Sequence, residues 1–269
     1  MALRADVAAF AIPRHYEMQR RANRDTHDRL ADSLCALGYS VRSQGRFRNV
    51  VALPSAPRQP VTLVCAHYDS VPTTPGADDN ASALAVLLEV ARRCAGRHTR
   101  HVAFVGFNGE EDGLLGSRDF VAQGMAGLQV ASAHVLEMVG YTSREPNSQA
   151  APPRLPRILP TVGDFVAVVG GGAPQALAHV AAASRGRGMP RVVRFDAPRW
   201  LHRTVPDLLR SDHAPFWAAG VPALMWTDTG NFRNPHYHRE TDTPDTLDYG
   251  FMSQVANLLH AVVGARGVY

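Results

Sequence analysis

The stretch V-T-L-V-C-A-H-Y-D-S at residues 61–70 decides the fold. Val61 to Ala66 is a near-continuous apolar run of strand length, as in a strand buried on both faces of a parallel sheet. The run then breaks into His67, Tyr68 and Asp69, polar groups beyond the carboxyl end of a strand, where open α/β sheets collect their ligands. Downstream the pattern alternates: helix over 81–95, strand 101–107, helix 114–123, strand 133–137, strand 164–169, helix 174–184, strand 191–195, helix 213–219, strand 223–227 and a closing helix 251–263. Upstream, an amphipathic helix is predicted from Arg14 to Gly38, with Leu30, Leu34 and Leu37 on one face. Two extended segments, 39–44 and 47–53, then read as a hairpin. The expected class is α/β: a three-layer α/β/α sandwich with a mixed, mostly parallel central sheet. No linker divides residues 1–269, so one domain is expected.

Composition narrows the chemistry. The chain has 269 residues, 45% hydrophobic and 19% charged, enough to bury a sizeable core. All 28 basic residues are Arg; without Lys, the P-loop, Schiff-base and protein-kinase chemistries are excluded. The net charge of +4 is not gathered into a basic stripe, so no nucleic-acid partner is expected. Cys35, Cys65 and Cys94 are widely spaced without a C-x-x-C pair, which suggests reduced core residues and neither a disulfide framework nor a thiolate zinc site. Arg4 and Asp6 interrupt the only apolar stretch at the N-terminus, and no segment reaches membrane-span length. A soluble, cytoplasmic protein is the expectation, with secretion open if a leader has been trimmed.

Residues after the predicted strands form a metal-like set. His67 and Asp69 follow the first; Asp78, Asp79 and Asn80 follow the next loop; Glu110 and Glu111 follow 101–107; Glu137 ends 133–137; His236 and His238 follow the last. Imidazoles and carboxylates in this combination suit zinc, and cobalt or manganese would suit the same donors. Singly, His67 reads as a hydrogen-bonded loop residue, Asp79 as a helix N-cap and the two glutamates as a solvated turn. Glu137 is harder to dismiss, because in V-L-E-M-V-G an unpaired carboxylate would be costly to bury. His236 reads as a loop residue, Asp212 and His213 as structural groups capping a helix, and His98 and His101 as solvated. The proline-rich segment 142–160 reads as a surface loop near the site.

The motifs A-H-Y-D-S (66–70), G-A-D-D-N-A-S-A (76–83), N-G-E-E-D-G-L-L-G-S (108–117), L-E-M-V-G-Y (136–141), S-D-H-A-P-F (211–216) and Y-H-R-E-T-D-T-P-D (237–245) together resemble the co-catalytic di-zinc aminopeptidase family, whose wider group includes glutaminyl cyclases and glutamate carboxypeptidase. The resemblance implies two zinc ions, with His67, Asp79 and Glu137 on one, Glu111 and His238 on the other, and Asp79 bridging. It implies that Asp69 orients His67, that Glu110 is the general base for a water shared by the ions, and that Tyr237 stabilises the oxyanion, packing being the alternative role. The implied substrate is a peptide, cleaved at its N-terminal residue. Glu137 stands where the best-known aminopeptidases carry aspartate, which leaves carboxypeptidase polarity as an alternative. Other rivals are a one-zinc glutaminyl cyclase, a non-catalytic scaffold, and a dinucleotide site at Gly170–Gly172 with Asp196, whose third glycine is missing.

Overall fold

The computed structural model describes residues 2–96, 99–155 and 160–265. Eight strands form one mixed sheet in the order β1-β2-β4-β3-β5-β8-β6-β7. They span β1 Ser40–Gln44, β2 Asn49–Leu53, β3 Val61–His67, β4 Val102–Phe107, β5 Val130–Glu137, β6 Phe165–Gly170, β7 Arg191–Asp196 and β8 Ala223–Thr227. The helices are α1 Ala2–Phe10, α2 Arg20–Ala36, α3 Ala83–Cys94, α4 Leu115–Ala122, α5 Pro174–Ala183, α6 His213–Ala218 and α7 Tyr249–Gly264.

The two-residue period of the strands builds the three layers. Val64, Ala66, Phe104 and Leu136 face one core with α1, α2, α3, α5 and α7, while Leu63, Cys65, Val105 and Val135 face a second with α4 and α6. The expected sandwich is the observed one. Strands β4, β3, β5 and β8 are mutually parallel, whereas β6 pairs antiparallel with β8 and parallel with β7. The carboxyl ends of β6 and β7 therefore lie at the rim opposite those of the central four.

Several expectations need correction. The N-terminal stretch is a helix: Val7 and Phe10 are buried one turn apart, and Asp6, which breaks the apolar run, pairs with Arg92 at 2.7 Å. Helix α2 begins at Arg20 and not at Arg14, because Arg14 is spent elsewhere. Its guanidinium is fully buried and donates to the carbonyls of Tyr68 (2.8 Å), Pro75 (2.6 Å) and Gly76 (3.1 Å). A buried cation is tolerable only with such partners. Cys35 is exposed, while Cys65 and Cys94 are buried. His101 is half-buried, its Nε2 3.0 Å from the Val263 carbonyl; His98 lies outside the described residues. Segment 142–155 is irregular, as expected, and brings Pro152 and Leu155 to the site.

Candidate metal centre

Central position in the sheet buries the first donor. His67 ends β3 opposite Phe107 and is 1% exposed. Asp69, two residues on, has an oxygen 3.4 Å from His67 Nδ1, and its carboxylate also accepts the backbone N–H of Glu110 (3.2 Å) and Glu111 (3.3 Å). One side chain thus ties the ends of β3 and β4 together. The loop bearing Asp79 is fixed from three sides. Asp242 accepts N–H bonds from Asp78 (2.8 Å) and Asp79 (3.1 Å); Arg14 holds Gly76; and the Asn80 side chain donates to Leu136 O (3.0 Å) and accepts from Met138 N (3.0 Å), clamping the loop to the residues flanking Glu137. The Asp79–Asn80 peptide is cis, and Asp79 caps no helix.

This scaffold brings all five predicted donors together. Asp79 Oδ1 lies 3.3 Å from His67 Nε2 and Oδ2 lies 3.2 Å from His238 Nε2, so one carboxylate faces two imidazoles with different oxygens. Glu137 Oε2 is 3.5 Å from His67 Nε2, and Glu111 Oε2 is 3.2 Å from His238 Nε2. Glu110 reaches His67 Nε2 at 3.9 Å, so distance alone does not separate it from a ligand. Both His67 ring nitrogens and Asp79 Oδ1 are buried without a hydrogen-bond partner. Orphaned buried donors of this kind call for a cation, and the imidazole–carboxylate set fits zinc.

The electrostatics agree. Burial opposes a charge on His67, but Glu110 and Glu137 outweigh it and raise its pKa well above the usual histidine value. Burial likewise opposes the charge on His238, yet bonds to Asp79 and Glu111 raise it to about 10. Burial and Asp79 push Glu111 up to about 7. Burial raises Glu110 well above the carboxylate range, against the pull of His67. Protons thus stand in for a cation.

Beside the donors lies a cavity of about 410 Å³. Ala167, Val169, Val193, Phe195 and Met225 form its apolar wall, and Glu137 and His238 stand at its polar end. Tyr237 stacks on the His238 ring at 3.8 Å and its hydroxyl accepts from Arg210 at 2.9 Å, so the phenol is held at the cavity edge.

Residues 49–263 match Peptidase family M28. The chain belongs to peptidase family M28. Membership makes it a metallopeptidase by family, as the motifs led one to expect. Among relatives, it is 36% identical to Escherichia coli YfbL, over 79% of this chain and 69% of that protein, and 30% identical to the Bacillus subtilis aminopeptidase YwaD, over 76% of this chain and 40% of that protein. The chain therefore spans less than half of that named aminopeptidase. Among solved M28-like folds, the Legionella pneumophila LapA aminopeptidase superposes with a TM-score of 0.75 at 18% identity, covering 97% of this chain and 70% of that one. Porphyromonas gingivalis glutaminyl cyclase gives 0.70 at 19%, covering 98% and 96%. Fold likeness at these identities does not choose between the two chemistries.

Some residues around the centre escaped the sequence reading. Asp242 and Ser211, which donates to Glu137 Oε2 at 2.6 Å, stand inside the quoted motifs, so their position was visible though their partners were not; Asn80, read with Asp78 and Asp79 in the metal-like set, spends its amide on Leu136 and Met138. Asp212 makes no capping bond; it is fully buried, both oxygens lack partners, and burial raises it to about 7. His213 is structural, its Nε2 2.8 Å from Leu208 O. His236 is a bonded loop residue, 2.9 Å from Thr241 Oγ1. Asp78 turns from the donors to Gly140 N (2.9 Å) and Asn234 (2.7 Å). At the dinucleotide-like turn, Asp196 accepts from Gly172 N (2.8 Å) and Ala173 N (3.2 Å), filling the place a phosphate would need. Among the described residues no helix is long and apolar enough to cross a membrane.

Proposed function

We propose that the chain is a di-zinc aminopeptidase. The observation that carries this reading is Asp79, whose oxygens address His67 and His238 separately at 3.3 and 3.2 Å, the placement a bridging ligand requires. Charge supports it: Asp69, Asp79, Glu110, Glu111 and Glu137 converge, and the fully buried Arg14 is the arginine whose charge acts on Asp69 and Asp79. His67, Asp79 and Glu137 would hold one ion and Asp79, Glu111 and His238 the other. Bound zinc would supply an acidified water and a polarised scissile carbonyl.

The chain's own residues do the rest. Glu110, acting as the carboxylate, takes the proton from the attacking water and returns it to the departing amine. Tyr237, steadied by Arg210, donates to the developing oxyanion. The apolar cavity takes the side chain of the N-terminal residue, with Glu137 at its mouth facing the α-ammonium. YwaD, a relative whose name includes aminopeptidase, supports that polarity.

Zinc content and substrate polarity test the reading together. Two zinc ions per chain and cleavage of leucine amide, but not of its N-acetyl form, are expected. A single zinc with cyclisation of N-terminal glutamine would replace it with the cyclase reading. Preference for an N-blocked dipeptide with a free carboxylate would make the enzyme a carboxypeptidase.

A further inference from the structure

Two basic clusters far apart in sequence meet in space. Arg20 and Arg24, one turn apart at the start of α2, and Arg46 and Arg48, from the β1–β2 turn, line a second cavity of about 560 Å³. Its floor is the buried pair Asn23 and Asn108, which exchange side-chain bonds of 2.9 and 3.1 Å. Arg46 stacks over Phe47 at 4.6 Å, and Arg48 is 3.5 Å from Asp28. Arg20, Arg24 and Arg46 have no carboxylate partner among the described residues, and Glu17 is the one acid in the wall. The excess charge is unspent, and guanidinium forks match carboxylates well.

Topology sets this cavity on the route of a bound peptide. β2 runs antiparallel to β4 with Val50 opposite Gly106, so the β1–β2 turn projects from the same rim as the carboxyl end of β4. Asn108 in its floor is two residues from Glu110. The metal centre sits above β3, β4 and β5; the apolar cavity lies on its β8-β6-β7 side and the arginine cavity on its β4-β2-β1 side. A chain with its first side chain in the apolar cavity and its scissile bond at the centre leaves toward the arginines. β2 is two strands from β3, ~10 Å at the usual strand spacing, which an extended chain covers in about three residues.

The geometry points to a downstream subsite for acidic residues: Arg20, Arg24, Arg46 and Arg48 receive Asp or Glu side chains, or the free carboxylate, of the second to fourth residues after the cleaved bond. This rests on the aminopeptidase reading above.

The test compares Leu-Ala-Ala-Glu-Glu with Leu-Ala-Ala-Lys-Lys on the zinc-loaded chain, by kcat/KM and, with a ketomethylene first bond, by binding anisotropy. The acidic peptide is expected to win by ~3–20-fold at low ionic strength, the worth of a few exposed ion pairs. Added salt should erase the preference. Arg24→Gln/Arg46→Gln should bring the ratio toward unity, and Arg24→Glu/Arg46→Glu should invert it. Equal binding of the two peptides, or a preference unchanged by these substitutions, overturns the subsite. Preferential binding without cleavage of either peptide would instead overturn the peptidase reading and leave the acid-binding site standing.

Discussion

The two halves of the sheet meet the centre in different ways. In the β3–β4–β5 half, strands are parallel and the donors sit at their carboxyl ends: His67 closes β3, Glu137 closes β5, and Glu110 follows β4. In the β6–β7 half, the chain runs the other way, so its loop ends point to the far rim and its contribution is a face, the apolar wall of Ala167, Val169, Val193 and Phe195. On the proposed reading, one half supplies reacting groups and the other supplies shape. Reversing a strand is what converts one role into the other, because direction decides which rim its loops reach while the two-residue period still presents a face.

The comparison can be broken first in the donor half. Asp79→Ala removes the group shared by both imidazoles, and both zinc sites and activity should be lost together; elemental analysis showing two bound ions would end the bridging assignment. Glu110→Gln should lower kcat by ~10²–10⁴ with zinc content unchanged. If zinc leaves with the substitution, Glu110 is a ligand, as its 3.9 Å approach to His67 allows. Acidity should act on the same half. His67 and His238 are raised in the metal-free site, His238 to about 10, with Glu111 at about 7. Protons compete with the ion for these atoms, so zinc affinity should rise with pH by about tenfold per unit for each proton displaced. Chelator competition at pH 6, 7 and 8 measures it, and a flat profile would show that the imidazoles are not ligands. The smallest effect belongs to the shape-giving half. Val193→Trp should fill the cavity and shift kcat/KM from leucine toward alanine amide by about tenfold, with zinc content untouched.

The same division governs what could be read in advance. Val61–Ala66 and Val102–Phe107 are unbroken apolar runs, and the polar residues after them could be placed at one rim because parallel strands bring their carboxyl ends to the same side of the sheet. The direction of β6 was not legible, since Phe165–Gly170 is apolar whichever way it runs. Helix α1 was missed because Arg4 and Asp6, the latter spent on Arg92 of α3, interrupt the apolar residues, and Val7 and Phe10 alone make a 3.6-residue pattern too short to stand out. The roles of Arg14 and of Asp242, though Asp242 stands in a quoted motif, were not legible, because the distant backbone groups they hold lie 54 to 62 and 163 to 164 residues away. Asp212 looked like a cap by its place before α6, yet its carboxylate faces inward.

The clamp of Asp242 on Asp78 and Asp79 also sets a timetable for synthesis. His67 and Asp79 emerge from the ribosome early, but the loop that aims Asp79 is not held, nor is His238 present, until residues 238–242 have followed. A nascent chain halted before that point carries stray carboxylates and imidazoles without a preorganised pair of sites. On the di-zinc reading, metal capture waits for Asp242, made 163 residues after Asp79.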